Sequence, residues 1–409
     1  MDFAKVNMLI IQKFGGTSIA NPERIKNVAK RVARNSGENQ VVVVVSALGD
    51  TTDTLIELAH QITKEPSLRE MDMLISVGEQ VSASLLSMAL HQEGRNAISL
   101  CASQVQILTD STYGKARIQK IETKRLKKEL AKGNIVIVTG FQGITEDGDV
   151  TTLGRGGSDL TAIALAGVLK ADMCEIYTDV EGVFTADPRV VPLAKKIEKL
   201  SYEEMLEMAS LGAGVMQTRA VELAKKYGVC FQVRSSLTEE KGTIICEEVA
   251  DMERLLVSGI TTDPNEAKIT VVGLSDQPGI AGKVFSALSE KEINVDMIIQ
   301  SSAGEKRKNI SFTVDKVDLA EALSAIETLR NQIEIGSVVS DCDMAKVSVV
   351  GVGMMSQPGV AAKMFSCLAD KGINIDMIST SEIKISCVVA RDKMEESAVA
   401  LHSAFGLDK

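Results

Sequence analysis

The chain has 409 residues, 45% of them hydrophobic, with a formal net charge of −10 and no tryptophan. Such a length exceeds what one hydrophobic core usually organises, so two or more domains are expected. An aromatic content of 3% and an acidic balance argue against nucleic acid and anionic membranes as partners.

From Asn7 to about Arg234, β-branched runs alternate with amphipathic segments, as in residues 8–12, then 22–34, then 41–45. This alternation predicts an α/β domain built on an open, mostly parallel sheet with helices on both faces. Continuous apolar runs at 135–139, 174–178 and 230–234 predict further strands buried on both sides. The apolar runs are strand-sized, so neither a signal peptide nor a membrane span is expected, and the chain reads as cytoplasmic. Seven scattered cysteines without a C-x-x-C pair read as reduced thiols, and no metal site is expected.

Ligands of open α/β sheets bind beyond the carboxyl ends of the strands. Three charged or glycine-rich turns stand there: Lys13-Phe14-Gly15-Gly16-Thr17-Ser18, Ser46-Ala47-Leu48-Gly49-Asp50, and Asp179 after Thr178. The C-terminal third holds an internal repeat, residues 269–297 and 347–377. Gln277 matches Gln357 and Asn294 matches Asn374 at the same offset. The segment from Cys246 to Ile260 links the two regions. The expected domains are 1–245, 260–340 and 341–409.

No G-x-x-x-x-G-K-[ST], H-R-D or D-F-G set is present, which excludes a P-loop enzyme and a protein kinase. Glycine turns carrying Lys13 and Arg155, the latter in Gly154-Arg155-Gly156-Gly157-Ser158-Asp159, let backbone amides and cations approach an anion. The bland alternative is a pair of tight turns capped by Ser18 and Ser158. Phosphoryl transfer needs positive charge on the moving group and little covalent work, a role that suits Lys13. A carboxylate acceptor arrives ionised and requires no general base. Arg155 and Glu79 together suggest a clamp for a zwitterion, the guanidinium on a carboxylate and Glu79 on an ammonium.

The motifs K-F-G-G-T-S, V-V-V-S-A-L-G-D-T-T-D, S-V-G-E, G-R-G-G-S-D, Y-T-D-V-E-G-V-F-T-A-D-P-R and V-R-S-S resemble the amino-acid kinase domain of aspartate kinases. The two repeats resemble ferredoxin-like α+β ACT domains, so the likeness covers nearly the whole chain. It implies Mg-ATP as phosphoryl donor, with Mg2+ as cofactor, and β-aspartyl phosphate as product. Lys13 and Asp159 would be catalytic, Asp159 organising the lysine. Lys13, Phe14, Gly15, Gly16, Thr178, Asp179, Phe184, Asp187 and Arg189 would bind ATP. Ser46, Thr52, Glu79, Arg155 and Ser158 would bind aspartate.

Asp276, Gln277, Gly279, Ile280, Ala281, Asn294 and Gln300, with Ile373 and Asn374, would contact an effector, lysine or threonine or both. The resemblance also implies a homodimer or higher homo-oligomer paired through the ACT domains. A separately translated regulatory subunit starting at Met252 is a further expectation. Gly214 stands where several members of the family have lysine. The rival readings are a glutamate kinase of the same fold and an amino-acid sensor with an inactive kinase domain.

Overall fold

A computed structural model describes residues 8–210, 215–247, 256–302, 304, 306–355 and 358–409. Gln357, Gly214 and Met252, on which three expectations fell, lie outside the described residues. The chain divides into two compact units: one runs to residue 183 and includes 196–210 and the described residues of 214–251. The other comprises 184–195 and the described residues from 256 onward.

The first unit is built on β1 (Leu9–Phe14), α1 (Pro22–Asn35), β2 (Gln40–Val45), α2 (Thr51–Ile62), α3 (Leu68–Ile75), α4 (Val77–Gln92) and β3 (Ala97–Leu100). It continues with β4 (Ile135–Thr139), α5 (Gly157–Leu169), β5 (Met173–Thr178), β6 (Lys199–Ser201), α6 (Tyr202–Ser210), α7 (Thr218–Tyr227), β7 (Phe231–Ser235) and β8 (Thr243–Cys246). The eight strands form one sheet in the order β6-β8-β7-β5-β1-β2-β4-β3. Its centre is parallel: β1 pairs with β2 on one side and β5 on the other, and β2 pairs with β4. Val41, Val43 and Val45 of β2 join Phe14, Ile137 and the inner faces of α1 and α4 in one core. A smaller four-stranded sheet, residues 107–109, 118–121, 142–144 and 150–152, completes the unit.

Helix starts follow local chemistry. Asn21 caps α1 by accepting from the Arg24 amide, Pro22 stands in the first turn, Glu23 faces the positive end and Arg34 the negative end. In α5 every residue except Gly167 and Val168 is buried, because its small side chains let it lie between neighbours on all sides. The start of α5 is set by Gly156 at a left-handed φ of 67°, with no side-chain cap, so Ser158 is free for another role. The joined run Leu68–Gln92 is long and apolar enough to cross a membrane by length and composition alone. Half of its most apolar stretch is buried, with Ala83, Leu86 and Leu90 in the core of this unit.

The second unit contains β9 (Gly259–Ser275), α8 (Ile280–Ser289), β10 (Ile298–Ser302), β11 (Arg307–Asp315), α9 (Leu319–Thr328), β12 (Ser337–Val350), α10 (Val360–Asp370), β13 (Met377–Thr380), β14 (Lys384–Ala390) and α11 (Met394–Ala404). They form one six-stranded sheet in the order β10-β11-β9-β12-β14-β13. The two longest strands serve both repeats. Ile269 and Val271 of β9 lie in the core of the first repeat, whereas Ile260 of the same strand lies in that of the second. Residues 291–300 and 371–380 repeat the same burial pattern position by position. Segment 184–195 is built into the second repeat: Ala186 and Val191 enter its core, and the Thr185 hydroxyl lies 2.8 Å from Nε2 of buried His402.

Candidate active site

The turns that follow β1, β2 and β4 meet at one end of the large sheet. The Gly15 amide donates to the Tyr177 carbonyl at 3.2 Å, the Ser46 amide to Phe14 at 3.1 Å, and the Gly140 amide to Val45 at 2.9 Å. Close approach explains two of the glycines. A Cβ on Gly16 would stand 2.9 Å from the Ala47 carbonyl oxygen, and one on Gly140 would stand 2.6 Å from the Ser158 hydroxyl.

Lys13, the fifth residue of β1, points to the N-terminus of α5, where its ammonium lies 2.6 Å from the Asp159 carboxylate. The two side chains are only about 10% exposed. In such shielded surroundings the pair holds its geometry well, and the ammonium is placed beside the amides that open α5. Gly15 sits under it: a Cβ there would come within 3.5 Å of the lysine nitrogen. A cation, a helix N-terminus and a bare backbone turn brought together in this way can hold an anion. Its neighbour Phe14 is different, since its side chain is fully buried and stacks on Tyr177 with ring centroids 4.5 Å apart. Its side chain therefore belongs to the core.

Glu79, in the first turn of α4, is 3% exposed. Oε1 accepts from the Ala47 amide at 3.0 Å, and Oε2 is buried without a partner. Burial pushes its pKa up to about 7, against the pull of backbone amides, so the carboxylate is short of positive charge. Gly78 allows this approach, because a Cβ there would stand 2.7 Å from that of Ala47. Ser46 and Thr52 are half-buried on the same turn and on α2. Arg155 is exposed between Gly154 and Gly156, both at positive φ, and Ser158 is buried at the start of α5.

The nucleotide candidates divide. Thr178 and Asp179 follow β5, with the threonine hydroxyl donating to the Asp179 carboxylate at 3.1 Å. Phe184, Asp187 and Arg189 belong to the segment built into the second unit. There the Arg189 guanidinium chelates Asp187 and holds its carboxyl below the usual range. A cleft of about 720 Å³ lined by Ser18, Arg24, Arg31 and Glu239 includes none of Lys13, Glu79 or Asp159.

Sequence reasoning missed Asp72. It is 1% exposed and accepts from the amides of Gly114 and Thr152 and from the Thr152 hydroxyl, fixing the strand that leads into the 154–158 turn. An aspartate between apolar neighbours in Met71-Asp72-Met73 was the available signal.

In the second unit, Asp276 is half-exposed and lies 3.5 Å from the Lys308 ammonium. Gln277, Gly279, Asn294 and Gln300 are exposed, while Ile280 and Ala281 in the first turn of α8 are partly buried against the first repeat's core. Asn374 is exposed, but the side chain of Ile373 is 4% exposed and lies in the core of the second repeat.

Comparison with known proteins adds the following. The model of the amino acid kinase family matches residues 8–235, and that of the ACT domain matches 269–329 and 347–405. An aspartokinase of Bacillus sp. (strain MGA3) is 52% identical over 400 residues, covering 98% of this chain and 97% of that protein. The structure of E. coli aspartokinase III in complex with aspartate and ADP, an R-state, superposes with a TM-score of 0.81 at 26% identity, over 97% of this chain and 99% of the other. The same enzyme in complex with lysine and aspartate, a T-state, gives 0.77 at 26% identity over the same shares.

Proposed function

From the membership of this chain in the aspartokinases, enzymes of the amino acid kinase family that carry ACT domains, we propose how its own residues divide the work. The chain is an aspartate kinase: it transfers the terminal phosphoryl group of ATP to the side-chain carboxylate of aspartate, under regulation by its ACT domains. The observation that carries the division of roles is the meeting of Lys13, held by Asp159, with the buried, half-paired Glu79 at one end of the sheet.

Glu79 receives the α-ammonium of aspartate on the oxygen that lacks a partner, and Arg155 with Ser158 receives the α-carboxylate. This leaves the side-chain carboxylate to attack, already ionised, so no base is needed. Lys13 and the amides of the Gly15-Gly16 turn bind the transferring phosphate and stabilise the charge that spreads over its oxygens. Asp159 keeps Lys13 aimed, 2.6 Å from its ammonium. Thr178 and Asp179, on the turn after β5, hold the nucleotide.

Among the described residues there is no cluster of three metal-ligating side chains. Mg2+ would come with the phosphates, whose charge it neutralises when bound. The regulatory ligand is lysine, threonine or both, bound at the 276–281 turn and the Asn294 and Asn374 loops, in an oligomer joined through these repeats. We place the enzyme in the cytoplasm.

The substrate assignment is tested by comparing aspartate with succinate, which lacks the ammonium. Wild-type protein should prefer aspartate by at least about 100-fold in kcat/KM, and Glu79→Gln should lose most of that preference. Equal loss on both acceptors would remove Glu79 from ammonium recognition.

A further inference from the structure

The repeats share a second signature. Each carries Ala-Lys within a long strand, Ala267-Lys268-Ile269 in β9 and Ala345-Lys346-Val347 in β12, and each returns with I-N-[VI]-D-M at residues 293–297 and 373–377. In space these partners are exchanged. The Lys268 ammonium of the first repeat lies 2.6 Å from Asp376 of the second, and Lys346 of the second lies 2.5 Å from Asp296 of the first. The methionines that close the two motifs, Met297 and Met377, are buried together with Val388 in one small cluster. Each aspartate is also fixed by its backbone: the Asp296 amide donates to Thr313 at 3.1 Å and the Asp376 amide to Val388 at 2.9 Å. The sequence repeat thus reappears as a crosswise, near-two-fold exchange.

The two bridges differ in strength. Lys346 is 4% exposed and also meets Glu266 at 2.5 Å, so its position is fixed by the need to keep a buried ammonium paired. Carboxylates outweigh the effect of burial and hold its pKa above that of a free lysine. Lys268 and Asp376 are 22% and 31% exposed and form a single bridge, which can adjust. Asn294 and Asn374 stand two residues before the bridged aspartates, on the loops assigned to the effector.

We propose that Lys268 and Lys346 are positioning residues for effector recognition, each holding the amino-acid-binding loop of the opposite repeat. A free α-amino acid bound at one loop is then read by the strand of the other repeat, and the two repeats respond as one body. The inference rests on the reading that these loops bind the inhibitory amino acid.

The test uses full-length enzyme. Inhibition by lysine and by threonine is titrated for wild type, Lys268→Met, Asp376→Asn, and the exchanged pair Lys268→Asp with Asp376→Lys. Lys346→Arg is added because removing the buried charge outright endangers folding. Each single variant at the exposed bridge should raise the inhibition midpoint about tenfold, within the usual range of coupling between sites, while kcat and both KM values without effector stay within twofold. Exchanging the charges should restore the midpoint, and the two single effects should not add.

An unchanged midpoint in Lys268→Met, with wild type inhibited normally, overturns the positioning role and leaves the effector reading intact. A loss of kcat in parallel with inhibition, not rescued by the exchange, also overturns it. If neither amino acid inhibits or binds the wild type, the effector reading itself fails and the proposal falls with it.

Discussion

Lys13 and Glu79 carry the account at the scale of single residues. Lys13→Ala should lower kcat about 10²- to 10³-fold in steady-state assays, as loss of one charge-stabilising contact does. Near-normal turnover would remove it from the mechanism. Glu79 sets a pH limb. Because burial raises its pKa to about 7, it is neutral below that pH and anionic above, and only the anion can hold the ammonium.

The kcat/KM for aspartate should therefore fall about tenfold per unit as pH drops below 7, and Glu79→Gln should flatten this limb. The same shift has a stability consequence of opposite direction. A pKa raised on folding favours the folded state below the ordinary carboxylate range, and this contribution is lost as pH rises through 7. Aspartate should then protect against thermal unfolding more at pH 8 than at pH 6. Lys13 was legible in the sequence as a cation beside a glycine turn at the end of a strand, whereas Glu79 stood out only together with Arg155, as one half of a zwitterion clamp. The side chain of Phe14 was not legible, since adjacent residues of a strand face opposite sides and only Lys13 turns toward α5.

At the scale of elements, the site depends on how closely turns and helices approach. Gly16→Ala places a methyl group against the Ala47 carbonyl and cannot be relieved by a side-chain rotation. It should cost about 1–3 kcal/mol in urea unfolding and reduce activity, since both loops must shift. Asp72→Asn turns one of the two buried acceptor oxygens that serve three donors into a donor, and should cost about 2–3 kcal/mol by the same measurement.

The alternation of strands and helices could be read from periodicity, and the order of the motifs from the resemblance they carry. What could not be read was the use of β9 and β12 by both repeats, or the docking of 184–195 in the second repeat. Each depends on register and on packing between segments far apart in sequence, which leave no local pattern. The crosswise bridges were hidden for the same reason: Asp296 and Asp376 were visible in the repeat, but Lys268 and Lys346 stand just before it.

The whole molecule joins a catalytic sheet to a sensing sheet within one chain. Regulation of this kind is a coupling free energy, so an inhibitory amino acid and the substrates must weaken each other's binding equally. Asp276→Ala should relieve inhibition by at least about tenfold in effector concentration while leaving uninhibited kcat unchanged, because Asp276 lies on the exposed turn before α8 and outside the catalytic unit. Full inhibition of this variant at wild-type effector concentrations would move the effector site elsewhere. The most direct measurement is trapping of the acyl phosphate with hydroxylamine, using Mg-ATP and either aspartate or glutamate, with and without lysine and threonine. The account predicts hydroxamate from aspartate, suppressed by lysine, threonine or both. Product from glutamate alone, or from neither acid, would contradict it.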